Sequence, residues 1–126
     1  MIAGIGTDLC RIERMEKSLE SPAFCRRVFG GEEKQFLDGL KGKKLPESAA
    51  ANFAAKEAFL KAAGRGIGDF AFGEVQALRA ESGAPYFVFE GKARDYMEQN
   101  RLKAHLSLTH EAGLAAAFVI LERGDV

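Results

Sequence analysis

Three places in this chain have the side-chain types and spacing to do chemistry. Glu57 and Lys61 stand one helical turn apart, Asp8 follows a near-N-terminal apolar run, and His110 follows another. Residues four apart are neighbours on a helix, so Glu57 and Lys61 read either as a solvated ion pair or as part of a site. Their surroundings are Ala, Phe and Leu, which suits a partly buried position. Asp8 also has two readings. It could cap a helix starting near Cys10, or join Glu57 as a second hard oxygen donor. Mg²⁺ typically takes one or two carboxylates and fills the rest of its shell with phosphate oxygens and water, so two carboxylates from distant parts of a chain would serve it. Lys61 reads as a surface lysine with a buried stem or as a counter-charge for phosphate. His110 reads as a hydrogen-bonded structural residue or as a group that contacts ligand or moves protons. His105 is expected to be exposed.

The elements that would hold these groups can be read from local pattern. Glu57 and Lys61 belong to a helix expected to begin near Pro46. Ala dominates it and is the best helix former. Pro46 suits a first turn, and Gly64, followed by Gly66 and Gly68, is the stop. Phe53 and Leu60 share a face flanked by Ala49 and Lys56, while the helix turns Lys56 away from Glu57 to a structural or peripheral place. Residues 1–9 read as a strand ending at Asp8, with Gly4 and Gly6 suggesting a bulge or close backbone approach. The third glycine of a dinucleotide fingerprint is missing.

Ile12, Met15 and Leu19 predict an amphipathic helix over residues 11–19. Ser21 and Pro22 predict an N-cap and first helical residue, with that helix stopping near Gly30 and Gly31. A third helix is expected over residues 32–40, with Phe36, Leu37 and Leu40 inward, then a basic loop at 41–46. A glycine-rich connection follows at 65–72. Residues 74–80 and 85–90 then flank Ser82-Gly83-Ala84 as a hairpin. A helix follows from Gly91 to about Asn100, and a second hairpin pairs 105–109 with 114–122. Helices gather first and hairpins second, which predicts an α+β fold with a mainly antiparallel sheet packed with helices.

The length of 126 residues predicts one domain, residues 1–126. Basic and acidic side chains balance at 18 each, which argues against a nucleic-acid partner. No signal peptide is expected, because the first ten residues carry Asp8 and lack the positive-then-apolar order. No apolar run approaches membrane-spanning length. Cys10 and Cys25 have no zinc spacing and are expected to be reduced thiols. These features together predict a cytoplasmic chain.

Phe53-Ala-Ala-Lys-Glu-Ala-Phe-Leu-Lys-Ala-Ala-Gly64 closely resembles the central motif of the 4′-phosphopantetheinyl transferases. Gly4-Ile-Gly-Thr-Asp-Leu9 resembles their N-terminal motif and Ser107-Leu-Thr-His110 their C-terminal one. The order of the three on a chain this short is similar to the small single-domain type, the holo-[acyl-carrier-protein] synthases.

The resemblance implies that fold and a definite reaction. The 4′-phosphopantetheine arm of coenzyme A moves to a serine of apo acyl carrier protein, 3′,5′-ADP leaves, and the product serves fatty acid biosynthesis. It implies Mg²⁺, with Mn²⁺ possible, held by Asp8 and Glu57. Lys61 would meet the pyrophosphate, and His110 the cofactor's phosphates or a proton. Gly83 and Pro85 would border the cofactor, although turn chemistry alone accounts for them. Glu57, a water on the metal and His110 are all candidates for the serine proton. Arg14, Arg26 and Arg27 would meet the acidic carrier, Arg14 first, and the assembly would be a homotrimer with sites between subunits.

Two residues depart from the pattern. Asn52 stands where the family usually has Arg, and Arg65 where Thr is common; Arg65, Lys41, Lys43 or Lys44 could compensate at the nucleotide end. The alternatives are a non-catalytic module binding carrier protein or coenzyme A, or a transferase serving a peptide- or polyketide-synthase carrier.

Overall fold

The alanines of the central stretch let one long helix lie close against a sheet. The computed structural model describes residues 1–65 and 69–124. In chain order the elements are β1 (Ile2–Arg11), α1 (Ile12–Ser18), α2 (Pro22–Val28), α3 (Gly31–Asp38) and α4 (Lys44–Ala63). A 3₁₀ turn (Phe72–Glu74), β2 (Val75–Arg79), β3 (Pro85–Phe89), α5 (Gly91–Gln99), β4 (Leu102–Glu111) and β5 (Leu114–Arg123) follow. This is an α+β fold in which every strand pairing is antiparallel, split between a three-stranded sheet of order β1-β5-β4 and a separate β2-β3 hairpin.

Helix α4 lies between these sheets. Ala49, Ala50, Ala54, Ala55 and Ala58 are fully buried. Gly4 and Gly6 bring β1 directly onto the helix, because a β-carbon on either would collide with the carbonyl oxygens of Ala62 and Ala58. Both sequence readings of this glycine pair hold, since the β1–β5 register also shifts between Ile2 and Gly4. On the far side of α4, Phe59 is fully buried, with its ring centroid 4.9 Å from that of Phe89 and 5.9 Å from that of Phe70. Such aromatic contacts add to simple area burial.

Local chemistry explains the boundaries. The Ser21 side chain accepts from the Phe24 amide, and Pro22 opens α2. Gly64 closes α4 at φ 67°, the left-handed conformation that glycine adopts without strain. Ala112 and Gly113, both at positive φ, make the tight turn between β4 and β5. Gly66 and Gly68, read as further stops, lie outside the described residues.

Two expectations need correction. Strand β1 does not end at Asp8; the ladder continues through Cys10 opposite Ala115 and Arg11 opposite Leu114. Asp8 therefore caps no helix: α1 starts at Ile12 after an Arg11 N-cap with no side-chain cap. The basic loop is also shorter than expected, because α4 already begins at Lys44 and takes Pro46 into its first turn.

Candidate active site

Residues from β1 and α4 meet where the strand crosses the helix. Lys61 donates from Nζ to Asp8 Oδ1 at 3.0 Å and to the Thr7 carbonyl at 3.0 Å. The ammonium is thus held by β1, and its hydrogen bond goes to Asp8 rather than to Glu57. Glu57, one turn before Lys61, lines a groove of about 620 Å³ with Asp8, Cys10, Arg14, Phe24 and Phe53.

The two carboxylates of this groove sense each other. Burial raises the Glu57 pKa above its ordinary value, the negative charge of Asp8 raises it further, and Lys61 opposes both. Burial likewise raises the Cys10 thiol, which keeps it protonated and unsuited to nucleophilic attack. Cys10 and Cys25 are both free. Among the described residues no three His, Cys, Asp or Glu side chains cluster as a complete metal cage. Two hard carboxylate donors beside open space fit a cation that draws its remaining ligands from phosphate and water.

A second groove, of about 350 Å³, gathers Gly83, Pro85 and His110 with Lys44, Ser48 and Arg79. His110 is exposed near the end of β4. Gly83 takes φ 91° in the β2–β3 turn, and Pro85 opens β3. Neither Asp8 nor Glu57 lines this groove, so the predicted site residues form two groups on one chain. Arg14, on α1, belongs with the carboxylates. Arg26 and Arg27 stand exposed in the last turn of α2, with Arg27 6.0 Å from the Phe24 ring centroid. His105 is exposed as expected and pairs with Glu122 at 2.9 Å.

A buried polar network behind the site went unread in the sequence. Lys56 is fully buried and not peripheral. Its Nζ donates to Glu33 Oε1 at 2.6 Å, to the Val75 carbonyl at 2.6 Å and to the Phe72 carbonyl at 2.9 Å. Glu33 also accepts from the amides of Gly30 and Ala77 and from Asn52 Nδ2. Burial pushes the Glu33 pKa up and that of Lys56 down, while their mutual attraction works against both shifts. The available signal was a lysine beside Glu57 on a helix face shared with Ala49, Phe53 and Leu60. Of the residues considered as compensating for Asn52, Arg65 lies over Tyr96 at 5.0 Å, while Lys44 reaches the second groove.

The family model of the 4′-phosphopantetheinyl transferase superfamily matches residues 4–119. The chain belongs to this superfamily. As a phosphopantetheinyl transferase it resembles a holo-[acyl-carrier-protein] synthase from Herminiimonas arsenicoxydans, at 41% identity over 98% of this chain and 99% of that one. Its fold matches a holo-(acyl-carrier-protein) synthase from Bacillus anthracis str. Ames, solved in complex with CoA (3′,5′-ADP), with TM-score 0.84 and 35% identity over 98% of this chain and 99% of that one. The holo-[acyl-carrier-protein] synthase of Neisseria meningitidis matches with TM-score 0.88 and 31% identity, over 98% of this chain and all of that one. In this phosphopantetheinyl transferase the central motif is α4, the N-terminal motif is β1, and the C-terminal motif ends at His110 in β4.

Proposed function

We propose that the chain, acting as a single domain over residues 1–126, is a holo-[acyl-carrier-protein] synthase of the cytoplasm. It transfers the 4′-phosphopantetheine arm of coenzyme A to a serine of apo acyl carrier protein in support of fatty acid biosynthesis. The convergence of Asp8, Glu57 and Lys61 from two distant motifs, inside a family match spanning residues 4–119, carries this reading.

The serine oxygen bonds to the β-phosphorus of the coenzyme A pyrophosphate. The bridging P–O bond breaks, and 3′,5′-ADP leaves with the bond's electrons. Such transfer asks a protein chiefly for alignment and charge stabilisation. Asp8 and Glu57 are the residues that would hold Mg²⁺, or Mn²⁺ in its place; when bound, the ion neutralises phosphate charge. Lys61, tethered by Thr7 and Asp8, presents an ammonium to the same phosphates. The serine proton passes to a nearby acceptor, for which Glu57, a water and His110 are the candidates.

His110, Gly83 and Pro85 bind the cofactor in the second groove. Arg14 meets the acidic carrier at the rim of the first, with Arg26 and Arg27 extending the positive surface. The working form is a homotrimer. The sheet face turned away from α4 exposes Ile5 at 60%, Leu9 at 63% and Phe118 at 43%, an apolar strip suited to a second copy of the chain. Subunit contact would also bring one copy's first groove to another's second.

Intact-mass spectrometry of an apo acyl carrier protein incubated with the chain, coenzyme A and Mg²⁺ tests the reading. One added phosphopantetheine, lost with EDTA and with Glu57→Ala, is expected. Normal transfer by Glu57→Ala would overturn the role given to the carboxylate pair.

A further inference from the structure

Arg79, the last residue of β2, turns into the second groove with its guanidinium half-buried. Nη2 donates to Asn52 Oδ1 at 2.8 Å and Nη1 to the Leu78 carbonyl at 3.2 Å. Its Cζ lies 5.1 Å from the Phe36 ring centroid. Among the described residues Arg79 makes no ion pair. Glu33 is the carboxylate whose charge reaches it, and that carboxylate is already satisfied by Lys56, Asn52 and two backbone amides. A partly desolvated guanidinium without a carboxylate is costly unless an anion completes it.

The support beneath Arg79 is rigid. Asn52 is fully buried, and its Nδ2 donates both to Glu33 Oε2 and to the Ala77 carbonyl at 3.0 Å, which leaves Oδ1 facing the guanidinium. The amide orientation is therefore set by its neighbours. Helix α4 carries no arginine at position 52, yet β2 delivers a guanidinium to that same place on the helix. Around it stand the cation of Lys44, the hydroxyls of Ser48 and Thr109, and His110, with Glu47 the one acidic group in the lining. One guanidinium held in place, a second cation on the exposed Lys44 and two hydroxyls suit a phosphomonoester dianion.

We propose that Arg79, positioned by Asn52, binds the 3′-phosphate of coenzyme A. The proposal rests on coenzyme A being the donor substrate. Of the three phosphates of that molecule, two form the pyrophosphate that reacts and the third sits on the ribose, free for recognition. The grooves divide in the same way, with Asp8 and Glu57 in one, Lys61 bonded to Asp8 beside them, and Arg79 in the other. Arg79 is a positioning and specificity residue, remote from the bond that breaks.

The test compares transfer kinetics with coenzyme A and with 3′-dephospho-coenzyme A for the wild type, Arg79→Met and Arg79→Lys. Met keeps the stem over Phe36 and removes the charge. The wild type should favour coenzyme A in kcat/KM, and Arg79→Met should erase about 10- to 100-fold of that preference, chiefly through KM. Arg79→Lys should keep part of it. The exchange Asn52→Arg/Arg79→Asn, which returns the guanidinium to α4, should restore more of the preference than Arg79→Asn alone. Equal losses with both donors would make Arg79 merely structural and overturn the proposal. A wild type indifferent to the 3′-phosphate would overturn it while leaving the transferase reading intact. A wild type that transfers from neither donor to any carrier would overturn both.

Discussion

Lys56 and Glu33 meet at 2.6 Å with both side chains fully buried, joining α3 to α4 at the residue next to Glu57. All three lysine protons and both carboxylate oxygens are engaged, so burial leaves neither charge unsatisfied. The pair anchors α4 at one residue's remove from the chemistry.

Removing one partner strands the other. Lys56→Met should destabilise the fold by about 3–5 kcal/mol, because Glu33 would stay buried without its counter-charge. Glu33→Gln/Lys56→Met, which removes both charges, should recover part of that loss. Denaturant unfolding of the single and double variants measures the difference. A Lys56→Met loss below about 1 kcal/mol would mean that the pair contributes little to holding α4.

The carboxylate pair predicts a pH signature. The Glu57 pKa is raised in the folded protein, first by burial and then by Asp8. A carboxyl with a raised folded pKa favours the fold at low pH and withdraws that stability as pH rises through its folded value. Glu57→Gln should therefore melt higher than the wild type at neutral pH without divalent cation, and the gain should vanish below about pH 4, where both states are protonated. Asp8→Asn should bring the Glu57 titration midpoint down in an NMR titration. A midpoint unmoved by that substitution would show that the two carboxylates do not interact.

Arg14 is exposed on α1 at the rim of the carboxylate groove. Arg14→Ala should raise KM for the carrier several-fold, with the defect fading as salt rises, and leave KM for coenzyme A unchanged. Steady-state kinetics at two ionic strengths separates the cases. A rise confined to coenzyme A would move Arg14 to the cofactor.

The exposed face of the three-stranded sheet predicts self-association. Ile5→Asp and Phe118→Asp place charge where a second copy would bury apolar area. Sedimentation should show a trimer for the wild type and a smaller species for each variant. A monomeric wild type at micromolar concentration would remove that role from the face.

Much of this arrangement was legible in local pattern. The Ser21 cap, the glycine stop at Gly64, the two hairpins and the helix through Glu57 each depend on near neighbours in sequence. What escaped depends on distant ones. Glu33 drew no notice in the sequence, because nothing local ties it to a lysine 23 positions away. Arg79 went unremarked within the strand expected over residues 74–80, since its contact with Asn52 exists only once β2 lies along α4. Strand β1 outran its apolar stretch for a similar reason: Cys10 and Arg11 are held by pairing with β5 rather than by their own hydrophobicity. Strand β4 began earlier than expected, as Leu102 and Ala104 turn inward while Lys103 and His105 turn out.

The separation of the two grooves on one chain has a genetic consequence. Where neighbouring copies complete one another's sites, a subunit defective in the Glu57 groove still offers an intact Arg79 groove, and the reverse holds for its counterpart. Two alleles, each silent alone, would then rescue one another when co-expressed, because a mixed assembly contains junctions at which both contributing surfaces are wild type.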